Sequence, residues 1–174
     1  MADPPGIRND LSALPTGLRA MAGIEFDIQG IVQLSCSHPE VGVSFPTAAC
    51  DIAVARECDG LHFLHACGWY LNGGGGDIGE YVIHCADGIQ RSAPLVFGEN
   101  IGSWWEILNL ATSRNSGPTV AGRGRSVLSD QAGTDMVLFH FRWENPRPVV
   151  PIFSITFRSR MTPCAPFLLA LTAE

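Results

Sequence analysis

The final part of the chain, residues 135–174, carries three apolar segments separated by two proline-bearing turns. In the first segment, from Met136 to Trp143, large apolar residues alternate with Leu138, His140 and Arg142. This period-2 pattern is typical of a strand with one buried face, because successive side chains of a strand point to opposite sides. The residues predicted to share the buried face are Val137, Phe139, Phe141 and Trp143.

The other two segments predict further strands. From Ile152 to Arg158, the residues Phe153, Ile155 and Phe157 alternate with polar residues, which places these three side chains on one buried face. Ala165 to Thr172 is almost continuously apolar. Such a run is typical of a strand covered on both faces, so we expect this strand to be central in its sheet.

The same reasoning predicts strands in the earlier part of the chain, each bounded by turn-forming residues. Asp87 and Gly88 form a strong hairpin signal between two of them. The longest polar stretch, residues 113–134, is either a long surface loop or a loop that holds one short strand at residues 126–128. Phe26–Leu34, which has Gly30 inside it, is predicted as a strand or a hairpin. The other predicted strands are Ile52–Ala55, Gly60–Trp69, Glu80–Ala86 and Ile89–Phe97.

Many short strands, frequent turns and few helical signals predict an all-β fold. The expected architecture is an antiparallel two-sheet β-sandwich of jelly-roll type, with a β-barrel as the close alternative. Turn residues are frequent in residues 1–22, which predicts a loosely ordered lead-in that packs across the domain surface. Residues 23–174 are then expected to form the single sandwich domain.

The composition agrees with one globular all-β domain. A chain of 174 residues is long enough for one hydrophobic core, and its 19 glycines and 12 prolines lie mostly between the apolar runs. The net charge of −6 and the absence of a basic cluster argue against nucleic acid as a partner. All 11 basic residues are arginine, which excludes Schiff-base chemistry and a phosphate-binding P-loop at the glycines of residues 73–76.

The sequence carries no targeting signal that can be recognised. The first residues lack the basic and apolar regions of a secretory signal peptide, and no window reaches the ~18 apolar residues of a membrane span. The six cysteines show neither CxxC pairs nor zinc-finger spacing. Cys67 and Cys85 lie in phase with apolar neighbours, so we expect them to be buried free thiols.

Seven motifs follow one another at residues 26–34, 61–69, 78–84, 86–88, 104–105, 143–148 and 165–172. Taken in order, this series resembles β-sandwich domains of bacterial, especially planctomycete-type, multidomain proteins. These domains are similar to galactose-binding-like and carbohydrate-binding jelly rolls. The resemblance covers residues 9–174 and implies a sugar-binding module in an extracellular or cell-surface setting.

The aromatic residues supply the candidate ligand site. Sugar binding uses aromatic faces that stack on a pyranose ring, together with planar polar side chains that bind its hydroxyls. Trp104 and Trp105 are adjacent, so in an extended segment they would point to opposite sides. The alternative is that both tryptophans only close the end of a sheet. The predicted ligand-binding residues are Trp69, Tyr70, Trp104, Trp105, Asn145 and Arg147.

Four histidines on predicted strands offer a second kind of site. Three neutral imidazoles that converge inside a jelly roll can hold a transition metal. The candidates are His62, His84 and His140, which lie opposite in phase to the large apolar residues of their strands. The cupin pattern of closely paired histidines followed by glutamate is absent, so hydrogen-bonded strand histidines without any cofactor are the expected alternative.

The sequence therefore predicts a protein that is not an enzyme and that recognises a glycan or polysaccharide by stacking and hydrogen bonds. The alternative is a structural or self-assembling β-sandwich subunit that binds copies of itself or other protein domains. Catalysis has weaker support, because no GxSxG nucleophile motif is present. Paired carboxylates for glycoside hydrolysis would come from Asp77, Glu80, Glu99, Glu106 or Glu144.

Overall fold

The computed structural model describes residues 14, 16–38, 45–69, 76–106 and 117–174 of the chain. These residues form eleven strands and one short helix, α1 (Val127–Gln131), which lies between β8 and β9. The strands are β1 (Gly17–Met21), β2 (Ile24–Ile28), β3 (Val32–Gln33), β4 (Ala48–Arg56), β5 (Gly60–Gly68), β6 (Gly76–Cys85), β7 (Gln90–Phe97), β8 (Thr119–Gly124), β9 (Met136–Glu144), β10 (Ile152–Ser159) and β11 (Ala165–Ala173).

The strands are arranged in two larger sheets and one hairpin. A four-stranded sheet has the order β4-β10-β6-β7, and a five-stranded sheet has the order β3-β11-β5-β9-β8. All their pairings are antiparallel. The pairs β6–β7, β5–β9, β4–β10 and β3–β11 are nested one inside the next along the chain. The prediction of an all-β, β-sandwich-like fold built from antiparallel sheets is confirmed.

Side chains from both sheets meet in one hydrophobic core. Phe63 of the five-stranded sheet stacks on Tyr81 of the four-stranded sheet with ring centroids 3.9 Å apart, and Tyr81 also contacts Phe157. All three side chains are fully buried. Each contributes about 1.5 to 3 kcal/mol relative to an exposed position. Strand β5 is buried along its whole length, and β11 lies between β3 and β5, so the prediction that the last strand is not at an edge is confirmed.

The hairpin β1–β2 covers part of the outer face of the five-stranded sheet. Phe26 and Ile28 of β2 are buried in a second apolar cluster with residues of β5, β9 and β11. Met21 at the end of β1 lies over Gly122 of β8, where an added Cβ would come 3.7 Å from the methionine sulfur. The turn of this hairpin is Ala22–Gly23, so β1 belongs to residues 1–22, for which the sequence predicted a loosely ordered lead-in.

Two local predictions were wrong. Phe153 is 64% exposed, whereas Ile155 and Phe157 are buried as predicted. The cause is a register shift between Ile152 and Ser154 in both pairings of β10, since a β-bulge reverses the alternation of side chains.

The predicted short strand at residues 126–128 is instead the start of α1. The hydroxyl of Ser126 accepts a hydrogen bond from the amide of Ser129, and the hydroxyl of Ser129 accepts one from the amide of Ser126. These reciprocal bonds cap the N-terminus of the helix. The strand of this region lies earlier, at residues 119–124.

Candidate functional site

A short segment, residues 101–106, is inserted between two central strands where their pairing ends. The pairing of β5 with β9 stops before the last three residues of β5. There the amide of Trp104 donates to the carbonyl of Cys67 over 3.0 Å, and the amide of Val137 donates to the carbonyl of Trp104 over 2.8 Å. The segment therefore bonds to both strands, which fixes the position of the tryptophan pair.

The rings of Trp104 and Trp105 contact each other edge to face, with centroids 5.9 Å apart. Both are half-buried, and Trp104 also packs edge to face against Phe167. The expectation that the pair would point to opposite sides is thus not met. Trp69 follows β5 directly, has a φ of 53° and is 38% exposed. We call Trp69, Trp104 and Trp105 the tryptophan cluster; Tyr70 lies outside the described residues.

Two ion-pair groups flank the tryptophan cluster. Glu106, which directly follows the tryptophan pair, accepts two hydrogen bonds from the guanidinium of Arg123, over 3.0 and 2.7 Å. The guanidinium of Arg125 donates to Asp135 over 2.7 Å and to Asp130 over 3.2 Å. All these side chains are at least partly exposed. Planar polar groups therefore lie on the surface beside the aromatic rings.

Sequence reasoning did not place these charged residues in the candidate site. Arg123 and Arg125 belong to the stretch that was expected to be a loop, and Asp135 lies just before β9. Register brings them together, because Arg123 pairs with Val137 across β8 and β9. The sequence does contain one signal for them. Arg123 and Arg125 are two residues apart, as are neighbouring side chains on one face of a strand.

Asn145 and Arg147 lie at the opposite end of β5 from the tryptophan cluster. The side-chain amide of Asn145 donates to the carbonyl of Cys58 over 2.9 Å, and its oxygen accepts from the amide of Arg147 over 3.0 Å. Arg147 pairs with Asp87 and holds the pKa of that carboxyl below its usual range. Because β5 is nine residues long, about 26 Å separates its first residue from its last. The six predicted ligand-binding residues are therefore not brought together, and these two hold turns in place.

Two of the three candidate metal-binding histidines do lie together. His62 and His140 sit on the outer face of the five-stranded sheet with their ring planes nearly parallel and Nδ1 of His62 2.8 Å from Nε2 of His140. Nε2 of His62 is 2.8 Å from the carboxylate of Glu174, which also accepts from Arg142 over 3.1 Å. We call Glu174, His62 and His140 the histidine chain.

The third histidine lies elsewhere. His84 is on β6 in the other sheet, and its Nε2 is 2.9 Å from the hydroxyl of Thr156. The three histidines therefore do not converge. Within the ranges given above, no three histidine, cysteine or acidic side chains are grouped so that they could hold a metal ion.

One histidine and most of the thiols are buried in the core. His65 is fully buried, with Nε2 2.9 Å from the carbonyl of Asn100 and Nδ1 3.0 Å from the hydroxyl of Tyr81. Burial lowers the pKa of His65 to about 4. All six cysteines are free thiols and five are buried, so the prediction for Cys67 and Cys85 is confirmed.

A surface groove of about 310 Å³ lies where the hairpin meets the edge of both sheets. It is close to the histidine chain, because Thr172 in its lining pairs with His62 across β11 and β5. No tryptophan lines it. Its lining residues are Leu18, Glu25, Asp27, Ala53, Val54, Arg56, Leu171, Thr172 and Ala173.

The part of the chain that the structure describes has no helix of the length and apolar character needed to cross a membrane. Comparison of the chain with protein-family models, with curated proteins and with solved structures gave no match.

Proposed function

We propose that this protein is a non-catalytic glycan-binding module and that the tryptophan cluster is its binding site. The observation that carries the proposal is the position of Trp69, Trp104 and Trp105 around the end of one rigid central strand. Ligand sites are commonly built at the ends of a rigid scaffold, where connecting segments present side chains to solvent.

The chemistry of the cluster suits a sugar. A pyranose ring presents apolar C–H groups on its face and hydroxyls at its rim, so it pairs with an exposed aromatic face flanked by planar polar groups. Trp69 offers the most exposed ring of the cluster. Glu106 with Arg123, and Asp135 with Arg125, offer carboxylate and guanidinium groups beside the pair Trp104–Trp105. These ion pairs would orient the hydroxyls while the indole carries the stacking.

The pairing of the strands supports a jelly-roll topology. Nested antiparallel pairs that alternate between two sheets are what results when one long hairpin is rolled up, as in jelly rolls. The resemblance of the sequence to galactose-binding-like and carbohydrate-binding jelly rolls agrees with this topology. Fold alone does not assign a ligand, so the proposal depends on the tryptophan cluster.

One shallow site gives modest affinity. A module of this kind therefore gains from several copies or from attachment to other domains, because linkage raises the effective concentration at the second site. An extracellular or cell-surface setting, where polysaccharides are displayed, fits that use.

The test is a titration of the protein with a panel of soluble polysaccharides, followed by tryptophan fluorescence and thermal shift. Trp69→Ala should weaken saturable binding at least ~tenfold, which is about 1.4 kcal/mol. Phe153→Ala, which removes another exposed aromatic ring near the opposite end of the fold, is the matched control and should bind as the parent does. Absence of saturable binding to any glycan, or equal loss in both variants, would contradict the proposal.

A second candidate function is self-assembly, and a specific surface favours it. Ile89, Val149 and Phe153 are 46%, 77% and 64% exposed. They lie near one another because Cys85 bonds to Ile89 across the β6–β7 turn and pairs with Ile152 of β10. Exposed apolar groups of this kind are typical of contact surfaces.

The partner in this second proposal is another copy of the chain. Sedimentation velocity over a range of concentrations should show an assembly that Phe153→Asp dissociates and that Trp69→Ala leaves intact. A chain that stays monomeric at all concentrations, or an assembly that tolerates Phe153→Asp, would refute self-assembly through this surface.

A further inference from the structure

The histidine chain lies beneath the β1–β2 hairpin. The ring of Phe26 contacts His140 edge to face, with centroids 6.2 Å apart. Close by, the hydroxyl of Thr172 donates to the carbonyl of Glu25 over 2.7 Å, which ties β2 to β11. His62 is 2% exposed and His140 is half-buried. A change in the charge of either ring therefore acts on the surface against which the hairpin packs.

The hydrogen bonds fix where the protons are. The carboxylate of Glu174 only accepts, so Nε2 of His62 carries a proton and donates to it. Nδ1 of neutral His62 is then an acceptor, and Nε2 of His140 donates to it. The next proton can enter at Nδ1 of His140.

Burial and neighbouring charge oppose this next proton at His140 in the docked state. Arg142 of β9 lies beside the chain and shares Glu174 with it. Burial, followed by the neighbouring His62 and Arg142, lowers the pKa of His140.

Other elements packed against the pair bring no compensating acid. From β2 the contact is Phe26, whereas the side chains of Glu25 and Asp27 alternate with it and are exposed. Arg19 of β1 is exposed and bonds to the neighbouring carbonyl, and β8 places Thr119 opposite His140. Glu174, which directly follows β11, is thus the acid that contacts His62.

We propose that the histidine chain is an acid-sensitive latch for the β1–β2 hairpin, which docks at neutral pH and is released as the pH falls. In the docked state Nδ1 of His140, whose ring lies against Phe26, resists a further proton. With the hairpin released, the ring of His140 is solvated and takes up that proton. Release therefore takes up about one proton more, so the opening constant rises about tenfold for each pH unit below roughly 6.5.

Release uncovers an apolar surface. Beneath the hairpin lie Leu64, Ala66 and Phe167, which share the second apolar cluster with Phe26 and Ile28. An acidic environment would thus convert a covered sheet face into an exposed apolar one without unfolding the core between the two sheets.

Hydrogen exchange followed by mass spectrometry tests the latch on the whole chain between pH 7.5 and pH 5. After correction for the intrinsic exchange rate, peptides from residues 17–28 should lose protection about tenfold per pH unit below about 6.5. Peptides from β6 and β7 report global unfolding, including the effect of His65, and should stay protected over the same range.

Two variants complete the test. His140→Gln should remove most of the pH dependence in residues 17–28, whereas His84→Gln, which removes a half-buried strand histidine from the other sheet, should leave it unchanged. Protection of residues 17–28 that does not change with pH, or that falls together with that of β6 and β7, would overturn the proposal. The pH dependence of this protection is measured on the parent protein, so it tests the proposal even if His140→Gln fails to fold.

Discussion

The buried histidine His65 should make the stability of the core fall steeply in mild acid. Nε2 of His65 faces the carbonyl of Asn100, which only accepts, so this nitrogen carries the proton. Nδ1 is then unprotonated and accepts the hydrogen bond of the Tyr81 hydroxyl. A second proton on the ring would displace that bond and place a charge in the core, which explains why burial lowers the pKa of His65 to about 4.

The magnitude follows from the difference in pKa between the folded and unfolded states. The unfolded chain binds a proton at His65 with a pKa near its ordinary value of 6.5, whereas the folded chain resists until about 4. Each pKa unit corresponds to 1.36 kcal/mol, so the free energy of unfolding falls by about 3 kcal/mol through this group as the pH drops from above 6.5 to below 4. About 2.5 kcal/mol of that fall occurs by pH 4.5.

The assay is urea denaturation followed by far-UV circular dichroism at pH 7.5 and pH 4.5, for the parent and for His65→Gln. Glutamine does not titrate, and we expect it to cost about 1 to 3 kcal/mol at pH 7.5 through imperfect hydrogen bonds. The decrease in the free energy of unfolding from pH 7.5 to pH 4.5 should be about 2.5 kcal/mol smaller in the variant than in the parent. The effects of other titrating groups cancel in this comparison. Equal losses in both proteins would refute the buried neutral state of His65.

Two further predictions concern thiols and strand contacts. In the native protein only Cys50 should react rapidly with a thiol reagent such as DTNB, because it is the exposed member of the six cysteines, and rapid labelling of several thiols would contradict the buried positions of the others. Gly79→Ala should destabilise the fold by about 1 to 3 kcal/mol, since the new Cβ would lie 2.7 Å from the carbonyl oxygen of Arg158. Gly30→Ala, with nothing within 4 Å of its Cβ, is the control and should change the free energy of unfolding by less than about 0.5 kcal/mol in urea denaturation.

The strands were predictable where the pattern is local. Residues 60–69 and 136–143 were predicted as strands and form β5 and β9 almost within those bounds. Alternation also placed His62 and His140 on a common phase, and the structure puts both on the outer face of the five-stranded sheet. Periodicity specifies which side of a strand a residue faces, so these results follow from single strands alone.

Other features depend on contacts that no local pattern carries. Phe153 left its predicted face because of a bulge, and the sequence has no marker for that extra residue. His84 has the same phase as His62 and His140 but belongs to the other sheet. Strand order is set by pairing between distant segments, which is why a predicted convergence of three histidines could not be judged from phase.

Only the aromatic residues of the candidate site could be predicted from the sequence. Trp69 and the pair Trp104–Trp105 meet at one end of β5, whereas Asn145 and Arg147 lie at the other. The length and direction of β5 set the distance between these residues. Separate sequence motifs carry no information about that distance. The charged residues that do flank the cluster, among them Arg123, arrive through the register of β8 on β9.

The most direct test of the proposed glycan site is a two-dimensional NMR titration of protein labelled with ¹⁵N at its tryptophan indoles. The chain has four tryptophans, and single substitutions assign their signals. With a binding polysaccharide, the indole signals of Trp69, Trp104 and Trp105 should shift in a saturable way. The signal of Trp143, which packs against the core near the other end of β5, should stay in place. Indole signals that do not move with any glycan, or a shift confined to Trp143, would contradict the account.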